Sequence, residues 1–293
     1  MRGVARALPD ISLRQLEYLV AVADAPTWSV AADRVGVSPS ALSQGLGELE
    51  RRIGVPLFRA DGRRRVLRPA ARPVLDHARQ VVALTHDLVD WSDRIQTARS
   101  GRVRLGLVDV AAVEHYPEVL RRFRSDRPDV DLTLTVAPSA HLLDGLRSGV
   151  FDLIVCVDPP TWPGGVDVVP LRDEPIVVVA PAGTSFGDPS QWGPWVLFPG
   201  DSHTRFQIMA RLSELGAPLD VAAESHQADV LRQMVELGLG WTALPESAAG
   251  TDLAVGPVLF DRRLVLARRA GSVSDPAADT LAEALRCHRA VQG

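Results

Sequence analysis

Two sets of side chains carry the chemistry this sequence offers. The first lies in "VSPSALSQGLGELERRIG", residues 37–54, where Ser38, Ser40, Ser43 and Gln44 stand at the head of an apolar-striped segment. Hydroxyls donate or accept, and a glutamine amide pairs bidentately with adenine, so the grouping suits the edges of base pairs. Thr27, Arg34, Pro39 and Arg51 flank it, while Arg63 and Arg64 belong to an arginine run that suits phosphates or a minor groove better than major-groove readout. Together these are the expected nucleic-acid contacts. The second set is dispersed: Val108, Asp109 and Val110; Ser139; Ser202, His203 and Thr204 within "DSHTR"; and Gln227 beside His226. Hydroxyl, imidazole and amide groups near helix starts suit a small ligand with an acidic or polar end, although Asp109 disfavours an anion directly on the first loop. The plain alternatives are a helical hairpin within a core for the first set, a solvated turn for its arginine run, and a helix cap or surface polar group for the second set.

The first set needs helices to hold it. Leu13, Leu16, Tyr18, Leu19, Val20 and Val22 predict a helix over 12–23, stopped by Asp24, Ala25 and Pro26. Thr27 or Ser29 caps a short helix through Arg34, and Gly36 and Val37 make a tight connection. Ser38 followed by Pro39 starts a third helix, with Leu42, Leu46, Leu49 and Ile53 as one core stripe. That arrangement is a helix-turn-helix, whose second helix puts its N-terminal residues against base edges. Gly45 and Gly47 sit inside this helix, where each costs roughly 0.8 to 1 kcal/mol relative to alanine. Their missing side chains would let the helix approach a groove or a neighbouring helix more closely.

Asp61 and Gly62 then signal a hairpin beside Arg63, Arg64 and Arg65. Residues 73–98 predict a long helix with a seam of Val74, Ala78, Val81, Leu88 and Ile95, interrupted by Thr85 and Ser92. About 25 residues extend nearly 40 Å, and such a stripe wants a second copy to bury it. "ARSGR", 98–102, closes the helix as a hinge. Beyond it the strand-like runs "VRLGLV", "DLTLTV", "FDLIVCV", "PIVVVA" and "RRLVLARR" alternate with helical stretches, which predicts mostly parallel sheets covered by helices and a ligand site beyond strand ends.

Charge divides the same way. Residues 1–72 hold 12 Arg against 7 Asp plus Glu, net +5, whereas 73–293 hold 20 Arg against 29, net −9; lysine and asparagine are absent. A basic head on an acidic body points to a polyanion held by the N-terminal part alone. No apolar run reaches the roughly 18 residues of a membrane span, and "MRGVARALPD" lacks a secretory h-region, so a cytoplasmic protein without a membrane partner is expected. Cys156 and Cys287 are too isolated for a disulfide framework or a zinc site, and His203 and His226 match no metal-ligand spacing. With no P-loop, GxSxG or HExxH motif either, the sequence predicts no catalytic residue, metal or cofactor.

"LRQLEYLVAVADAPTWSVAADRVGVSPSALSQGLGELERRIGVPLF" resembles the N-terminal signature of LysR-type transcriptional regulators, through the Ala31–Ala32 pair, Ser38, Ser43, Leu49, Glu50 and the 54–58 closure. "VELGLGWTALP" resembles that family's effector domain. Gln44 and Gly45 depart from the pattern, standing where relatives usually carry a basic or larger polar residue; Ala60, Arg68 and Ala71 depart from it in the wing. The resemblance implies an α+β multidomain protein: a winged helix-turn-helix over 1–68, a dimerising linker helix and hinge over 69–100, and a two-lobed, periplasmic-binding-protein-like sensor domain over 101–293. Lobe I would take about 101–172 and 253–293, lobe II about 173–252. It implies double-stranded DNA bound as an interrupted palindrome by a homodimer or homotetramer, a small-molecule effector in the cleft, and RNA polymerase as a further partner. Two alternatives stay open at this point: a DNA-binding protein whose cleft is filled by its own side chains, and a small-molecule-binding protein or enzyme built on the α/β region.

Overall fold

The computed structural model describes residues 10–61, 64–97, 101–273 and 275–288. The chain divides into two compact units whose main boundary falls between Ser92 and Asp93.

The first unit begins with α1 (Leu13–Asp24), where Ser12 and Gln15 form a reciprocal capping box. Thr27 caps α2 (Trp28–Arg34), accepting from the Val30 N–H, and Ser38 caps α3 (Pro39–Ile53), accepting from the Ala41 N–H. Gly54 ends α3 at φ 76°, a left-handed conformation that glycine adopts without a Cβ penalty. Strands β1 (Phe58–Asp61) and β2 (Arg64–Leu67) pair antiparallel as the expected hairpin. A tight turn at Pro69–Ala71 leads into α4 (Arg72–Thr97). Leu19, Ala31, Ala32, Leu42, Leu46, Leu49 and Leu57 form the core of this unit, all but inaccessible to solvent. The seam of α4 is used differently from the expectation. Ala78, with Leu75, is buried in this same core and Val74 and Val81 pack against it, so only the later part, with Leu88, Val89 and Trp91 exposed, is left for a partner.

In the second unit, β3 (Arg102–Leu107) runs through a wide helical turn at Ala111–His115 into α5 (Pro117–Asp126), β4 (Asp131–Val136), α6 (Ser139–Arg147) and β5 (Leu153–Val157). The chain continues as β6 (Val166–Ala180), β7 (Trp195–Leu197), α7 (His203–Glu214), β8 (Val221–Glu224), α8 (Ala228–Glu236), β9 (Thr242–Pro245), β10 (Ala254–Arg269) and α9 (Pro276–Cys287). Strand order is β4-β3-β5-β10-β6-β9, with β7 and β8 as a separate pair.

The sheet is mixed, which corrects the expectation of mostly parallel pairing. Strand β3 is parallel to β4 and β5, and β7 to β8, but β10 is antiparallel to β5 and β6, and β6 to β9. The physical reason is the crossover. Strand β6 carries the chain from the lobe with β3, β4 and β5 to the lobe with β7, β8 and β9, and β10 brings it back, so two strands passing in opposite directions pair antiparallel. Among the described residues, no helix is long and apolar enough to cross a membrane.

Candidate DNA-contact surface and ligand cleft

On the first unit, the buried stripe of α3 fixes which residues face outward. Leu42, Leu46 and Leu49 are buried, which leaves Ser40 and Gln44 exposed and Ser43 half-buried near the helix start. Pro39 is exposed at the first helical position. Thr27 and Ser38 are exposed but also serve as caps, and the Ser38 and Ser40 hydroxyls lie 3.0 Å apart. Arg34 donates to the Asp24 carbonyl at 3.2 Å. Arg51 is occupied more fully: its Nε donates to Glu48 at 2.8 Å, and Arg51 with Arg52 holds the Glu48 carboxyl down at about 2. Arg63 and the side chain of Arg64 lie outside the described residues.

The two glycines have different surroundings. A Cβ on Gly45 would stand 2.8 Å from the Tyr18 ring of α1, closer than carbon atoms approach, whereas one on Gly47 would meet nothing within 4 Å. Gly45 is therefore a close-packing position between α1 and α3. Two groups outside the expected contacts hold the wing. Glu50 Oε1 accepts from the Leu57 and Phe58 amides at 2.6 and 3.1 Å, and Arg65 lies 5.3 Å from the centre of the Trp28 ring, which packs edge-on against Phe58. Glu50 has a local signal, being in the quoted signature, while the Arg65–Trp28 contact has none.

On the second unit, a cleft of ≈ 680 Å³ gathers most of the dispersed set: Val108, Asp109, Ser139, Ser202, His203, Thr204 and Gln227 line it, with His226. Val110 is corrected. It is 2% exposed and packs in the core, because the chain turns into the Ala111–His115 segment there and aims this side chain inward. Several liners are already bonded. Asp109 Oδ2 accepts from the Ala228 N–H at 2.8 Å, the Ser139 hydroxyl accepts from the Val157 N–H at 3.2 Å, and Ser202 caps α7. Apolar walls come from Val136, Pro138, Leu143, Val157 and Phe198.

Arg262, absent from the expected set, also lines the cleft. Its Nε donates to Glu174 at 2.5 Å and its Nη1 to the Thr204 hydroxyl at 3.3 Å; no acceptor for its Nη2 lies among the described residues. Glu174 bonds His115 Nε2 at 2.7 Å on its other oxygen, and Arg172 lies 3.0 Å from His115 Nδ1. Burial pushes the Glu174 carboxyl up, but the Arg262 guanidinium and the His115 bond outweigh it and hold it below the usual carboxylate range. Arg262 and Glu174 are direct partners in the β6–β10 register yet 88 residues apart in sequence, so no local spacing announces them. Cys156 also lines the cleft, and burial pushes its thiol up to about 12; the Cys287 thiol is raised by its bond to the Glu283 carboxylate. Among the described residues, no cluster of His, Cys, Asp and Glu could hold a metal ion.

Known proteins share this arrangement. Residues 13–72 match the model for the bacterial regulatory helix-turn-helix protein, lysR family, and residues 96–290 match the LysR substrate binding domain. The chain is 33% identical to a probable hydrogen peroxide-inducible genes activator of Streptomyces viridosporus, over 94% of this chain and 93% of that protein. It is 30% identical to the HTH-type transcriptional regulator IlvY of Escherichia coli, over 80% and 82%. The crystal structure of ArgP from Mycobacterium tuberculosis has the same fold, with a TM-score of 0.68 at 20% identity over 94% of this chain and 97% of that one. A capped α3 with its polar face exposed, a hairpin wing and a crossed-strand cleft thus occur here in the order those models require, and the chain belongs to the LysR family of DNA-binding transcriptional regulators, not to an enzyme family.

Proposed function

We propose that the exposed face of α3 reads an interrupted palindrome as one half of a two-fold pair, and that a small molecule in the cleft of the second unit sets which DNA-bound arrangement prevails. Gln44 is the base reader, with Ser40 and Ser43 beside it. Thr27, Arg34, Ser38, Pro39, Arg63 and Arg64 act on the backbone, where contacts fix register without reading sequence. Arg51, held by Glu48, contributes field more than a direct contact. Leu88, Val89 and Trp91 on α4 favour burial against a second copy, as dimer or tetramer. RNA polymerase is the partner through which such a regulator acts, in the cytoplasm.

The observation that carries the effector half is the cleft itself: ≈ 680 Å³ of mainly apolar wall that also includes polar groups falls within the range of small-molecule sites. A cleft filled by its own side chains would leave no such space. An effector changes regulation only if it favours one arrangement over the other. The peroxide response named for one relative is a second reading, and the thiols argue against it. A thiolate is the reactive form, and both Cys156 and Cys287 are raised away from it. Thermal unfolding of the full chain against acids and aromatic metabolites tests the effector reading. A concentration-dependent rise in the sensor transition supports it, and no rise across the panel returns the cleft to a structural role.

A further inference from the structure

The cleft contains the starts of two helices that the effector reading treats alike, α7 at His203 and α8 at Ala228, and they differ in what occupies them. A helix start favours an anion, through its unpaired amides and its dipole. At α7 the cap is the local Ser202, and the neighbouring group is Arg262, 95% buried on its side chain, with Nη2 free of acceptors among the described residues. At α8 the residue in the cap position, Gln227, makes no side-chain cap bond. The Ala228 N–H is met instead by the carboxylate of Asp109, from a loop 119 residues earlier in the chain and on the opposite lobe.

We propose that Asp109 determines ligand specificity by occupying, with its own carboxylate, the place where the second acid group of a dianionic effector would dock. The inference rests on the cleft being an effector site. A dicarboxylate spanning the cleft would have to displace Asp109 from α8 and then lie beside its charge, which disfavours it twice. The ligand class that remains is a monoanion, its acid end at Arg262 and Thr204 and its apolar body along Val136, Leu143 and Phe198. Asp109 thus changes from a poor anion ligand, as its type alone suggests, into an internal substitute for one.

The test is thermal unfolding of full-length wild type, Asp109→Ala, Asp109→Ser and Asp109→Asn in acetate, succinate and benzoate, with sodium chloride at matched ionic strength. The Ala and Ser variants vacate the α8 start, so acetate and succinate should raise their sensor transition at concentrations at least ten-fold lower than wild type needs. Asp109→Asn keeps an oxygen that can accept from the Ala228 amide but loses the charge, and its acetate response should fall between those of wild type and the Ala variant. Equal acetate and succinate dependence in wild type, Ala and Ser overturns the inference. If benzoate then still stabilises wild type, the effector reading stands without it; if benzoate does nothing either, both fall.

Discussion

The two units handle polar groups in opposite ways. On the DNA-contact face, Ser40 and Gln44 are exposed, supported by caps made within three residues of sequence and by one close approach between α1 and α3. In the sensor unit the deciding charges are inside: Glu174 and Arg262 have side chains 3% and 5% exposed, and His115 completes the set. A surface reader has to leave its groups unpaired for a partner, while charges buried between the crossover strands β6 and β10 have to find most of their partners within the chain. The contrast predicts that Glu174 in the buried network acts on stability, while the exposed Gln44 of α3 acts on recognition.

The largest effect should come from Glu174→Gln. It leaves the buried Arg262 guanidinium without its counter-charge, and breaking such a pair costs about 3 to 5 kcal/mol. Denaturant unfolding of the full chain measures this on the sensor transition, and a loss below about 1 kcal/mol would mean that the pair is already hydrated. The same comparison followed against pH has a fixed sign. Because the folded carboxyl is held below its usual range, its contribution is complete above the unfolded value near 4.3 and is lost as pH falls through the lower folded value. The gap between wild type and Glu174→Gln should narrow below about pH 4; a gap that widens there would contradict the pairing.

A smaller effect separates the two glycines of α3. Gly45→Ala drives a methyl into the Tyr18 ring and should cost about 1 to 3 kcal/mol, partly offset by helix propensity. Gly47→Ala meets open space and should stabilise by about 0.8 to 1 kcal/mol. Unfolding midpoints of the two single variants decide it, and a shared sign would remove the close-packing account. Smallest in stability, and visible only in affinity, is the arginine run: Arg63→Ala should weaken all duplexes alike and lower the salt slope by about 1, with unfolding unchanged.

Much of the first unit was legible because its determinants are local. Thr27 and Ser38 cap the helices that their positions announce, and the leucine stripe of α3 decides which face is outward. A close approach to a neighbouring helix was legible in the glycine pair, but not that Gly45 alone makes it, since Tyr18 reaches it from another helix. In the sensor unit the sequence showed only half of each crossover strand: "PIVVVA" and "RRLVLARR" are the apolar or regular ends of β6 and β10. Pro170, Pro175 and the charged run Arg172–Asp173–Glu174 break the strand pattern in β6, and those charges are tolerated there because distant segments answer them: His115 lies against Arg172, Arg263 pairs with Asp173, and Arg262 and His115 hold Glu174. The cleft residues were found where a helix start or a strand end marks them, as at Ser139 and Ser202. Arg262 sits mid-strand and went unseen, and Val110 was misassigned because one residue of rotation separates the cleft from the core.

The central claim is that α3 reads bases through Gln44 while the surrounding arginines bind any duplex. It is tested most directly by titrating full-length wild type and Gln44→Ala against the chain's own upstream DNA, single-base variants of that site and a scrambled duplex, at two salt concentrations. The account predicts specific binding that weakens with salt, and a loss of about 1 to 3 kcal/mol for Gln44→Ala confined to one base pair per half-site. Equal losses on every duplex, or wild-type affinity that does not distinguish the upstream site from the scrambled one, would contradict it.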